Sequence, residues 1–160
     1  MTKNIDIKKD RLRYIKNTAS STLAIIAIVF NVLYFVSIYN KLEADVGGYY
    51  YTYTMGFSVI CNLLFLLFTF LCSEGVKNYN YSYSVGLIFL GLFQIFRIFG
   101  YPMDATKATI GATDKTVMSN DEFVLVCVFL SLSALFCFAS SIVGFYKTKT
   151  LKTYLKQINK

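Results

Sequence analysis

A small set of polar side chains interrupts the long apolar stretches of this sequence, and their types could do chemistry. If each stretch is centred on a lipid bilayer, they come to similar depths near its middle: Asn31, Asn62, Gln94, Arg97, Ser131 and Ser133. Amides, hydroxyls and a guanidinium donate hydrogen bonds and recognise acceptors or anions. Because unpaired polar groups are costly in hydrocarbon, we expect these side chains to face one another or a partner, and not lipid.

Arg97 is the most demanding member of this set, because a charged side chain at the bilayer centre costs at least about 2.5 kcal/mol. Gln94, Arg97 and Tyr101 follow at i, i+3 and i+7, and so they share one helix face. No Asp or Glu lies inside an apolar stretch to pair with the cation. In one interpretation, Arg97 extends toward Asp104 while the amides accept its remaining donors. In two others, it bonds an acid or carbonyl groups of a larger membrane partner, or it faces a cavity for an anionic or polyhydroxylated solute.

We therefore predict an intramembrane polar site or partner contact formed by Asn31, Asn62, Gln94, Arg97, Tyr101 and Ser133. A structural alternative stays open for its three amides, because interhelical amide hydrogen bonds commonly hold membrane bundles together.

Small side chains recur along the last apolar stretch and predict a helix-packing face. Ser133, Cys137 and Ser141 follow at i, i+4 and i+8, and Ser140 with Gly144 repeats the spacing on the neighbouring strip. Such a surface permits close helix approach. The pattern allows packing within the chain or against another subunit.

The residues that commonly carry catalysis or hold a metal are missing or dispersed. The sequence has no His, which is the commonest general base near neutral pH. Its four cysteines lie in apolar stretches without C-x-x-C spacing, which is typical of small buried side chains and not of a zinc site. The chain also lacks the H-E-x-x-H, G-x-S-x-G and glycine-rich phosphate-binding motifs. We therefore expect no enzyme, no catalytic residue, no metal and no cofactor.

Four apolar stretches of about 20 residues must position the polar groups. The chain has 160 residues, of which 56% are hydrophobic and 16% are charged, whereas soluble domains carry about 25% charged residues. The sequence predicts an all-α fold, a four-helix transmembrane bundle over 18–146, with spans at about 18–39, 51–72, 83–103 and 123–146. A basic tail at 1–17 precedes the bundle, and a basic amphipathic tail at 147–160 follows it.

The basic residues predict the orientation of the bundle. Of the 16 Lys and Arg residues, twelve fall in the two tails and the middle loop, and three fall in the other two loops. Because basic flanks are retained inside, we expect a multi-pass plasma-membrane protein with both termini cytoplasmic. The net charge of +7 follows from this topology and suits anionic lipid on the inner leaflet. We therefore expect the lipid bilayer as a partner, and no nucleic acid.

Three segments carry a resemblance: STLAIIAIVFNVLYFVSIY at 21–39, SEGVKNYNYSYS at 73–84 and GLFQIFRIFGYPM at 91–103. From Ser20 to Met103 the chain resembles a group of uncharacterised small four-span membrane proteins of low-GC Gram-positive bacteria. That group is associated with carbohydrate ABC transport systems. The resemblance implies a bacterial transport accessory, and it implies no functional residue.

Two functions fit these patterns. The first is a non-enzymatic accessory or structural subunit that packs against a larger membrane complex, such as a solute transporter, through the Arg97 and Gln94 face or the small-residue face. The alternative is a self-assembling small transporter or channel, in which a homo-oligomer surrounds a pathway lined by Asn31, Asn62, Gln94 and Arg97. A lipid-modifying or redox membrane enzyme is a third class, without a motif to support it.

Overall fold

The computed structural model describes residues 16–39, 49–110 and 115–158. These residues contain helices α1 at Thr18–Tyr39, α2 at Tyr49–Lys77, α3 at Tyr81–Arg97, α4 at Tyr101–Ala105 and α5 at Asn120–Ile158. Four segments, α1, α2, α3 with α4, and α5, are long and apolar enough to cross a membrane. The prediction of an all-α, four-helix transmembrane bundle is confirmed. Residues 1–15 of the predicted N-terminal tail and the first loop at 40–48 lie outside the described residues, and the cytoplasmic position of the termini stays a prediction.

Local chemistry sets the boundaries of α3. Tyr79 has a φ of 58°, and the Asn80 side chain accepts a hydrogen bond from the Ser82 amide at 3.2 Å, which caps the start of the helix. The third predicted span, 83–103, lies within the membrane-length segment Tyr81–Ala105, which is divided because α3 ends at Arg97. The short helix α4 then begins at Tyr101 with Pro102 in its first turn, where a residue without an amide proton is tolerated.

Helix α5 is longer than the fourth predicted span. It begins beside a capping box, in which the Ser119 amide donates to Glu122 Oε2 at 2.9 Å and the Glu122 amide donates to Ser119 Oγ at 3.3 Å. The helix has 39 residues, which is about 58 Å at 1.5 Å per residue. It therefore extends well beyond a hydrocarbon core of about 30 Å. Residues 147–158 of the predicted basic tail form its C-terminal end.

The small-residue face of α5 packs inside the bundle, against α1 and α3. Ser20 Oγ donates to the Ser140 carbonyl and Ser140 Oγ donates to the Ser20 carbonyl, each at 2.6 Å. Ser141 Oγ donates to the Ser84 carbonyl at 2.6 Å. Cys137 is fully buried in a cluster with α1 and α2 residues. The sequence allowed this face to pack within the chain or against another subunit, and in the structure it packs within the chain.

The end of the bundle next to Tyr39, which the charges predict to be extracellular, is called the outer end here. Side chains from α1, α4, the segment before α5 and α5 itself form a buried cluster there: Tyr34, Ile38, Tyr101, Ala105, Val117, Met118, Val126 and Leu130. The amides of Val117 and Met118 donate to the carbonyls of Ala108 at 2.9 Å and Ala105 at 3.1 Å. These bonds hold the residues just before α5 against the end of α4 and the residues that follow it.

Close helix approach at Gly144 predicts a position-dependent effect of added volume. A Cβ at Gly144 would overlap Ser84 Oγ, whereas a Cβ at Gly56 on α2 would meet nothing within 4 Å. We expect Gly144→Leu to lower the free energy of unfolding by about 1–3 kcal/mol, because it overpacks the helix interface. The matched variant Gly56→Leu should leave stability unchanged or raise it slightly. Unfolding of purified protein in mixed micelles measures both variants, and equal stabilities would contradict this packing.

The length of α5 allows a direct test of orientation. Lys115 precedes the helix and Lys156 lies near its end, and both side chains are exposed. In intact cells, a membrane-impermeant maleimide should label Lys115→Cys and leave Lys156→Cys unlabelled until the cells are lysed. The wild-type chain, whose four cysteines lie within the spans, is the background control. Labelling of Lys156→Cys alone in intact cells would show that the orientation is opposite to the predicted one.

Candidate functional site

Five of the six residues predicted for the intramembrane polar site meet in one hydrogen-bonded cluster. Asn31 comes from α1, Asn62 from α2, Gln94 and Arg97 from α3, and Ser133 from α5. The spacing of Gln94 and Arg97 directs both side chains to the bundle interior, as expected for i and i+3 on a helix. The cluster therefore joins all four spans at one level. We call it the polar cluster.

The guanidinium of Arg97 is bonded to all three amides of the polar cluster. Its Nη1 donates to Asn31 Oδ1 and to Gln94 Oε1, each at 2.8 Å. Its Nη2 donates to Asn62 Oδ1 at 3.2 Å. The amides accept from Arg97 as the Asp104 interpretation expected, but among the described residues no ion pair joins Arg97 to Asp104 or to another carboxylate. Three of its five N–H groups are bonded within the cluster.

The amides also bond one another and reach α5. Asn31 Nδ2 donates to Asn62 Oδ1 at 2.8 Å, and Gln94 Nε2 donates to Asn31 Oδ1 at 2.9 Å. Gln94 Nε2 also donates to Ser133 Oγ at 2.9 Å, and Ser133 Oγ donates to the Ala27 carbonyl at 2.9 Å. Asn31, Gln94 and Ser133 are fully buried. The amides therefore form hydrogen bonds between helices, which is the structural alternative that the sequence left open for them.

Two residues that the sequence reasoning missed complete the surroundings of the cation. The Arg97 guanidinium carbon lies 4.7 Å from the centre of the Tyr34 ring, a cation–π contact. The Tyr34 hydroxyl lies 3.2 Å from Ser58 Oγ, and either oxygen could donate. The signal was helical spacing: Tyr34 follows Asn31 by three residues, and Ser58 precedes Asn62 by four. Both therefore share a helix face with a residue already singled out.

A lateral cleft connects the polar cluster to the lipid-facing surface. It has a volume of about 200 Å³ and lies between α2 and the α3–α4 segment. Its polar lining comes from Thr54, Ser58, Arg97 and Tyr101, and its apolar lining comes from Phe57, Cys61, Phe93, Phe96 and Gly100. Arg97 is 8% exposed, whereas Gln94 is fully buried. Arg97 is thus the member of the polar cluster that borders the cleft.

Tyr101, the sixth predicted site residue, lies on α4 rather than in the polar cluster. Its side chain belongs to the buried cluster at the outer end and is 2% exposed. It also lines the lateral cleft together with Arg97. The break between α3 and α4 places Tyr101 at the start of a separate short helix, after Gly100.

No family model, curated protein or solved structure matches this chain. Its function must therefore be argued from the geometry of the site. The groups that meet there are three amides, a hydroxyl and a guanidinium, which donate hydrogen bonds and attract anions. Among the described residues, no three His, Cys, Asp or Glu side chains come together as a metal site would require.

Two serines on α5 provide a matched test of the polar cluster. Ser133 bonds Gln94 and the Ala27 carbonyl, whereas Ser131, which the sequence grouped with the other mid-span polar residues, is exposed on the same helix and lies outside the polar cluster. We expect Ser133→Ala to lower the free energy of unfolding by about 1 kcal/mol, the range of hydrogen bonds between membrane helices. Ser131→Ala should change it by less. Unfolding of the purified variants in mixed micelles measures the difference, and equal effects would show that the cluster contributes no stability through Ser133.

Proposed function

We propose that the protein is a non-enzymatic accessory or structural subunit that packs against a larger membrane protein in the plasma membrane, such as a solute transporter. One observation carries the proposal: Arg97 is a cation in the middle of the spans, its hydrogen-bond partners are neutral amides, and it borders an open cleft. Intramembrane charges normally pair with an opposite charge or line a pathway. A partner would supply the opposite charge.

The amide bonds reduce the cost of burying Arg97 without neutralising it. Three hydrogen bonds replace part of the lost hydration, but an amide carries no net charge. The hydrogen bonds from Arg97 to the three amides need N–H donors and do not need a net charge. We therefore assign the charge itself to recognition.

The position of the polar cluster favours an accessory subunit over a self-assembling transporter or channel. Asn31, Gln94 and Ser133 are fully buried between helices of a single chain. A pathway between copies would need these side chains on the outer surface of the bundle. They could reach it only by breaking the bonds that join the four spans.

Of the two docking faces that the sequence suggested, the Arg97 side is the one that supports the proposal. The small-residue face of α5, with Ser140, Ser141 and Gly144, is occupied by α1 and α3 of the same chain. Arg97, in contrast, opens toward lipid through the lateral cleft. The resemblance to four-span proteins associated with carbohydrate transport makes a carbohydrate transporter the first partner to look for.

The test is extraction of native membranes with a mild detergent, followed by native gel separation and mass spectrometry of the band that contains this chain. The wild-type chain should migrate with a larger membrane protein. Arg97→Leu removes the charge and three hydrogen bonds, but Asn31, Asn62, Gln94 and Ser133 still bond one another across the four spans. The variant should therefore stay folded and inserted, yet it should lose most of the associated partner. Arg97→Lys keeps the charge and should retain more of the partner than Arg97→Leu.

Lys107→Leu is the matched control, because it removes one positive charge at an exposed position outside the polar cluster. It should leave the complex intact. If Arg97→Leu co-purifies with the partner undiminished, the cation does not dock. If the wild-type chain migrates alone as a small homo-oligomer, the accessory function is wrong and the self-assembling alternative gains support.

A further inference from the structure

We infer that the partner contributes one transmembrane helix, whose mid-span carboxylate from an Asp or Glu binds Arg97 while its apolar side chains fill a groove between α2 and α3. This inference rests on the proposed function and names the chemistry of the docked surface. The groove is lined by Ser58, Leu64 and Phe68 on α2 and by Phe89, Phe93 and Arg97 on α3.

The groove consists of two adjoining clefts that share Phe93. The lateral cleft at Arg97 has a volume of about 200 Å³, and an apolar cleft of about 380 Å³ follows on the side away from the outer end. From Thr54 to Phe68 the groove spans about 21 Å of α2 at 1.5 Å per residue, which is two-thirds of a hydrocarbon core. Its apolar part is exposed, with Phe68 at 49% and Phe89 at 68%. An elongated apolar occupant with one anionic group matches this surface.

The depth of the Arg97 guanidinium in the membrane favours a transmembrane helix over a lipid headgroup as the source of the anionic group. Asn31 and Asn62 both bond Arg97, and each lies about 4 Å from the middle of its span toward the outer end. The guanidinium therefore lies about 11 Å inside the hydrocarbon boundary. A lipid phosphate would have to sink by that distance, whereas an Asp or Glu two or three residues from the centre of a helix is already there.

The polar cluster has an excess of donors, which selects a carboxylate as the missing group. The amide bonds leave two N–H groups of Arg97, for which the Tyr34 hydroxyl is an acceptor within the chain, and Asn62 Nδ2 has no hydrogen-bond partner among the described residues. Asn31 Oδ1 and Asn62 Oδ1 each already accept two hydrogen bonds. A carboxylate only accepts, and its two oxygens match the guanidinium fork.

A second copy of this chain does not supply that group. The acids of the described spans, Glu74, Asp104, Asp121 and Glu122, all lie near span ends. None could reach the depth of Arg97 in a side-by-side pair of copies. Charge complementarity at this depth therefore requires a different protein.

The experiment uses the purified full chain in neutral phosphatidylcholine vesicles with synthetic transmembrane helices as probes. One leucine–alanine helix of about 20 residues carries a Glu three residues from its centre. The second carries Gln at that position, and the third carries the Glu at one end of the helix. Energy transfer between labelled helix and labelled protein reports binding. We expect the first helix to bind at least about tenfold more tightly than the other two, which is 1.4 kcal/mol.

The Arg97→Leu and Arg97→Lys variants separate charge recognition from apolar packing. The preference for Glu over Gln should vanish with Arg97→Leu and persist, reduced, with Arg97→Lys. Equal binding of the Glu and Gln helices to the wild-type chain would overturn the inference even if Arg97→Leu fails to fold.

Two further results would assign the groove to another occupant and overturn the inference. One is displacement of the Glu helix by anionic phosphatidylglycerol in the vesicles, which points to lipid. The other is strong energy transfer between copies of this chain that the Glu helix does not reduce, which points to self-association. The probe assay needs no native partner, so it tests the inference separately from the proposed function. The Glu helix could fail to bind while the native complex is intact, and it could bind although no native complex is found.

Discussion

A positive charge in the hydrocarbon layer is the constraint on which this bundle depends. Lipid offers neither water nor a hydrophobic driving force between helices. Arg97 therefore needs oxygen atoms from its neighbours, and Asn31, Asn62 and Gln94 supply them at one level. Since these side chains come from three spans and Ser133 adds the fourth, the bonds fix the rotation and register of every span relative to the others.

Polar contacts lie at two levels of the bundle interior, and they join different pairs of helices. In the inner half, the reciprocal serine bonds between Ser20 and Ser140 hold α1 and α5 close together. In the outer half, the longest hydrogen bond of the polar cluster, 3.2 Å from Arg97 to Asn62, joins α3 to α2. The groove runs along that seam. The bundle is thus tightly closed around α5 and least closed at the side where the charge lies.

Much of this architecture could be predicted from the sequence, because hydropathy and polar spacing act locally. The four spans followed from apolar length, and the meeting of Asn31, Asn62 and Gln94 with Arg97 followed from their common depth. Three features depended on side-chain packing that no local pattern encodes. They are the cation–π contact with Tyr34, the closure of the small-residue face within the chain, and the lack of an ion pair between Arg97 and Asp104 among the described residues.

The cover at the outer end determines from which direction the cation can be approached. Tyr101, Val117 and Met118 pack over Tyr34, so the described chain separates the polar cluster from the aqueous phase along the helix axes. The remaining approach runs sideways, within the plane of the bilayer. Encounters with Arg97 are therefore two-dimensional. Occupancy of the groove would follow the surface density of the bound molecule in the membrane, and dilution of the surrounding medium would not change it.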